Sequence, residues 1–120
     1  MGREKTENRF LLQEYRARVN RAIDYIENNI AEGDLNLKKL SSVAGFSRFH
    51  FHRIFAGMMG ETLNQFIQRI RVEKAAMLLV VNPKKNMTEI AFDCGYSGSA
   101  QFSRAFREKF GKTPSEWRKE

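Results

Sequence analysis

Two short stretches of this chain gather side chains able to do chemistry. One is "AGFSRFHFHRIF" at 44–55, the other "CGYSGSAQFSRAF" at 94–106. The first mixes two histidines, two arginines and four phenylalanines, so metal binding, anion recognition and core packing all compete for it. Metal binding falls first. His50 and His52 are two apart, and on a helix such residues point about 200° apart, so they do not grip one ion together. No second Cys/His pair exists to complete a ligand set. No catalytic triad or phosphate loop is present either, so neither an enzyme nor a cofactor site is expected. The arginines and the phenylalanines remain to be placed.

They are placed by an internal repeat. Residues 37–66 align with 87–117 so that Gly45 meets Gly95, Phe46 meets Tyr96 and Ser47 meets Ser97. After one extra residue in the second copy, Phe51 meets Phe102, Arg53 meets Arg104, Phe55 meets Phe106 and Gly60 meets Gly111. Each copy reads as helix, turn, helix. Leu37, Leu40, Val43 and Ala44 recur at helical spacing behind an Asn36 N-cap, and Gly45 suits a left-handed cap. Ser47 caps the next helix, whose Phe51, Ile54, Phe55 and Met58 share one face. In the second copy Asn86 and Glu89 form a capping-box pattern, and Ile90, Ala91 and Cys94 face inward. Ser97 or Ser99 then starts a helix with Phe102, Ala105, Phe106 and Phe110 inside.

Both copies run into a further helix start. Thr62 with Gln65 and Thr113 with Glu116 are matching capping boxes, and Pro114 takes the favoured first helical position. From Thr62 the chain reads helical until Asn82-Pro83 stops it, a length of about 28 Å at ~1.5 Å per residue. Upstream, Leu12, Tyr15, Val19, Ala22, Ile23, Ile26 and Ile30 are spaced as one amphipathic stripe, with a first helix expected from Tyr15 to Ile30 and ended by Gly33. Phe10 to Leu12 either extend it or pack against something absent from this chain.

The formal charge is +7. Residues 1–33 carry six basic and six acidic side chains, so the whole excess lies in 34–120. A basic excess confined to one region suits a polyanionic partner. The single cysteine, Cys94, aligns with Ala44, reads as a small core residue and fits a reducing compartment. The N-terminus has no signal-peptide pattern, and the longest apolar run, Ala75 to Val81, is far short of the ~20 residues that span a bilayer. A soluble, intracellular protein without a membrane partner is expected.

At "AGFSRFHFHRIF", "GETLNQFIQRIRVEKAAMLL" and above all "IAFDCGYSGSAQFSRAFREKFGKTPSEWRK", the chain resembles the DNA-binding domain of the AraC/XylS family of bacterial transcription regulators. The resemblance runs from about residue 19 to 117. It implies an all-α, homeodomain-like fold of seven helices, with two helix-turn-helix subdomains joined by a long linker helix. The divisions expected are an N-terminal extension (1–18), a first subdomain (19–61), the linker helix (62–82) and a second subdomain (83–120). It implies sequence-specific binding of double-stranded DNA, with two recognition helices in adjacent major grooves, and transcription regulation as activator or repressor.

Carried over position by position, base contacts fall to Phe49, His52 and Arg53 in copy one and to Ser99, Ala100, Gln101 and Arg104 in copy two. Arginine reaches guanine O6 and N7, glutamine pairs with adenine, and apolar groups meet the thymine methyl. Gly98 and Ala100 are small where relatives often carry larger polar groups, which makes copy two the weaker reader. Phosphate contacts are expected near Thr62 and Thr113, where helix starts expose amides, and from Arg48, His50 and Lys112. The pattern "FHFHRIF" looks most like the subgroup in which a gyrase-inhibitor-like ligand domain follows. This chain is then either a piece of a longer protein or one of the short free-standing members. RNA polymerase is the expected partner of an activator, and a small-molecule effector would act through a domain outside this chain. The competing function is a helix-turn-helix module that binds protein instead of DNA.

Overall fold

The computed structural model describes residues 2–120, and every element among them is helical. In chain order these are α1 (Gly2–Asn28), α2 (Leu37–Ala44), α3 (Arg48–Met59), α4 (Leu63–Val81), α5 (Met87–Asp93), α6 (Ser99–Phe110) and α7 (Pro114–Lys119). They gather into two compact units. Residues 1–28 and 34–64 make unit 1; residues 29–33 and 65–120 make unit 2.

In unit 1, α2 starts where the Asn36 side chain accepts from the Lys39 amide at 2.9 Å. It stops at Gly45, whose φ of 79° is left-handed, and whose amide returns to the Ser41 and Ser42 carbonyls. Two residues on, the Ser47 hydroxyl accepts from the His50 amide and opens α3. These caps satisfy amides that a helix start would otherwise leave bare. Behind the turn lie Val19, Ala22 and Ile26 of α1, Leu40 and Ala44 of α2, and Phe51 and Phe55 of α3, all buried. The two phenylalanine rings sit 5.7 Å apart, and Phe51 lies 6.4 Å from Phe46.

Helix α1 departs from expectation at both ends. It begins at Gly2, well before Tyr15, because Arg, Glu and Lys between 3 and 9 are good helix formers. It ends at Asn28, so Ile30 is buried from a turn and not from the helix.

Unit 2 repeats the plan with different fastenings. Asn86 caps α5 and exchanges bonds with Glu89 through both backbone and side chain. Gly95 (φ 90°) makes the turn. Val72, Ala75 and Leu79 of α4 pack with Ile90, Ala91, Cys94, Tyr96, Phe102 and Phe106. Phe110 and Trp117 add rings 4.8 Å apart, and the Trp117 indole donates to the Ala76 carbonyl. Helix α7 starts at Thr113, whose hydroxyl accepts from the Glu116 amide and donates to the Glu116 carboxylate. From α7, Arg118 donates to the carbonyls of Leu79, Asn82 and Lys85, satisfying acceptors at and beyond the C-terminal end of α4.

Candidate nucleic-acid interface

A helix that buries one stripe must present the other. On α3, full burial of Phe51 and Phe55 leaves Phe49, His52 and Arg53 exposed. On α6, full burial of Phe102 and Phe106 leaves Ser99, Ala100, Gln101 and Arg104 exposed. Ser103 and Arg107 share that open face of α6, although the position-by-position reading passed over them. The signal was present: they follow Ala100 and Arg104 by three residues each, so they continue the same surface.

The α3 face is partly organised. Phe49 keeps 72% of its surface exposed, and the Arg53 guanidinium stands 5.7 Å from its ring centroid. A cation over an aromatic face gains about 0.5–1 kcal/mol at an exposed site. The ring thus steadies the arginine while leaving its hydrogen-bond donors outward.

The α6 face is organised differently. The sequence reading expected Ser97 or Ser99 to cap α6. The N-cap is Gly98, and it offers no side-chain bond. The Gln101 amide oxygen instead reaches back beyond the cap, accepting from the Ser97 amide and the Ser97 hydroxyl, each at 2.8 Å. Reading adenine bidentately needs both that oxygen and the side-chain NH2. In this arrangement only the NH2 is open.

The five expected phosphate positions also separate. Arg48 is exposed at the start of α3. His50 packs edge-on against Tyr15 and Phe46, at centroid distances of 6.2 and 5.7 Å. Thr62 is half-buried just before α4. Lys112 is ion-paired with Glu120, and Thr113 is occupied as the α7 cap. His50 stays exposed beside those rings, whereas Lys112 is half-buried in its ion pair and less open to a partner.

Behind the α6 unit the turn is tight. A Cβ on Gly95 would stand 2.3 Å from the Ile30 carbonyl oxygen and 2.7 Å from Arg71 Nε. Arg71 donates to the Glu32 carbonyl, and burial lowers its pKa from the ordinary value. The same burial pushes the Cys94 thiol up to about 11 and the Tyr96 phenol up to about 12, so both stay neutral at physiological pH. Arg71 Nε and the Tyr96 hydroxyl are buried without a hydrogen-bond partner. Lys85 is held charged by its bond to Asp93, which raises its pKa. Among the described residues, no three His, Cys, Asp or Glu side chains cluster in a way that would hold a metal ion.

A glycine turn between two helices, with a polar and cationic second helix, is the architecture of a helix-turn-helix domain. Residues 40–120 match the helix-turn-helix domain family of AraC type, and the chain belongs to that family. It is 35% identical over 101 residues to an HTH-type transcriptional regulator of Staphylococcus aureus strain MRSA252, covering 84% of this chain. The chain spans only 13% of that curated relative's length.

Among solved structures, it resembles the C-terminal domain of AraT, a response regulator from Geobacillus stearothermophilus. That match has 30% identity, covers 85% of this chain and 84% of that one, and has a TM-score of 0.79. An AraC-type transcriptional regulator from Chromobacterium violaceum matches with 28% identity and a TM-score of 0.78, over 87% of this chain and 91% of that one.

Proposed function

We propose that this DNA-binding helix-turn-helix domain reads double-stranded DNA with α3 and α6, each entering a major groove, and that it regulates transcription. One observation carries the reading. Two copies of the same unit bury matched phenylalanine pairs and present matched arginines, Arg53 and Arg104, on the opposite exposed face. An arginine held outward on a helix is the side chain that reads guanine O6 and N7. Phe49, His52 and Arg53 form the stronger reader. Ser99, Ala100, Gln101 and Arg104 form the weaker one, because the Gln101 oxygen is engaged by Ser97. Backbone amides near Thr62 and Thr113, with the exposed Arg48 and His50 side chains, fix the register on phosphates; Lys112, ion-paired with Glu120, contributes less.

In this reading the two helices occupy adjacent grooves, the chain is not itself an enzyme, and it acts in the cytoplasm. An activator would also contact RNA polymerase, and a small effector would act through a domain beyond this chain. The "FHFHRIF" pattern favours the subgroup with a gyrase-inhibitor-like partner domain. A mobility-shift titration over rising salt tests the core of the proposal. Binding that neutralises several phosphates loses affinity steeply as salt rises. A flat salt response would point to a protein partner instead.

A further inference from the structure

We propose that the N-terminal half of α1 and the groove beside it form a self-association surface, covered by a second copy of this chain through a two-fold contact. Phe10, Leu11 and Leu12 are 66%, 49% and 45% exposed. Leu11, Leu12 and Tyr15 continue the stripe that Val19, Ala22 and Ile26 bury further along α1, so the helix keeps its apolar face after its covering core has ended.

Beside this stripe runs an open groove of about 590 Å³, walled by Phe10, Leu11, Tyr15, Phe46 and His50. Its charged lining is already engaged. Arg18 bonds Glu14 and the Gly45 carbonyl, each at 3.2 Å, and its guanidinium lies 4.9 Å from the Phe46 ring centroid. The groove therefore calls for an apolar occupant, not an anion.

Two observations select a second copy. The surface holds an exposed apolar ridge and an apolar recess side by side, which is what a self-complementary two-fold contact requires. The charge map agrees. The +7 lies entirely in 34–120, whereas 1–33 nets zero, so this is a face on which two strongly basic molecules approach without like-charge repulsion.

Sedimentation velocity of the 120-residue chain, from micromolar to near-millimolar concentration, tests this. The wild type is expected to shift from monomer to dimer, and the dimer to persist or tighten with salt, the reverse of the DNA response. The double variant Phe10→Glu/Leu11→Glu is expected to stay monomeric with an unchanged melting midpoint, since both side chains are exposed. Leu12→Cys is expected to give an interchain disulfide under oxidation. A wild type that remains monomeric throughout, its patch left to another segment or partner, overturns the proposal. So does a double variant that dimerises as well as the wild type, or a Leu12→Cys chain that never cross-links. Each of these results leaves the DNA-binding reading intact.

Discussion

The two helix-turn-helix units bury almost the same residues and expose different ones. Leu40 and Ile90, Ala44 and Cys94, Phe51 and Phe102, and Phe55 and Phe106 are all fully buried partners across the repeat. On the open faces the likeness ends. Unit 1 starts its second helix with a serine cap, which leaves Phe49 and Arg53 to pair with each other at the surface. Unit 2 starts with Gly98, which offers no side-chain cap, and ties Gln101 back to Ser97. A duplicated scaffold thus keeps its core fixed while its outer face diverges, because a core position must fit its neighbours and an outer one need not. The lesson is that holding the turn and reading bases compete for the side chains of a recognition helix's first turn.

The shared core predicts the largest effect. Phe51→Ala and Phe102→Ala should each cost about 3–5 kcal/mol of stability, since each empties a site buried on all sides. Thermal melts check this, and an unchanged midpoint in either would place that ring wrongly.

The turn glycines come next, and they break the symmetry. Gly45→Ala meets open space and only a left-handed strain of about 1–2 kcal/mol. Gly95→Ala adds a collision with the Ile30 carbonyl and should destabilise more. Equal losses would mean that the approach behind Gly95 relaxes freely.

On the DNA side, Arg53→Ala and Arg104→Ala should each cost about 1–3 kcal/mol and relax specificity at one base position. Competition binding on matched and mismatched sites distinguishes this from uniform loss on every sequence, which would make them phosphate contacts.

The smallest effect sharpens the comparison most. Gln101→Ala should lower stability by about 1 kcal/mol, the usual net value of a lost hydrogen bond, with a smaller change in base preference. A large specificity change with no stability change would make Gln101 a reader first.

Much of this was legible beforehand. Glycines read as turns or helix ends at 45, 60, 95 and 111 have positive φ, and Asn36, Ser47, Asn86 and Thr113 each cap the helix they precede. These devices depend on residues within four positions of one another, so sequence carries them. The inner and outer faces of α3 and α6 followed from the 3.6-residue period in the same way.

What was missed depends on finer choices or longer range. That neither Ser97 nor Ser99 caps α6 follows from the helix opening at Gly98, whose extended φ of 175° is not written in the residue types. The bond from Arg18 to the Gly45 carbonyl spans 27 residues, and the three bonds from Arg118 span 33 to 39. No local pattern marks such partners. The true start of α1 was hidden because its first turns have helical propensity but no stripe to bury.

The central claim is that two unequal readers act on one DNA. Selection of bound sequences from a random duplex pool, run with the wild type, Arg53→Ala and Arg104→Ala, tests it most directly. The account predicts a two-part motif with one strong and one weak half. Arg53→Ala should erase preference in the strong half, and Arg104→Ala should erase what remains in the weak one. A single half-site unaffected by Arg104→Ala, or no enriched sequence at all, would contradict it.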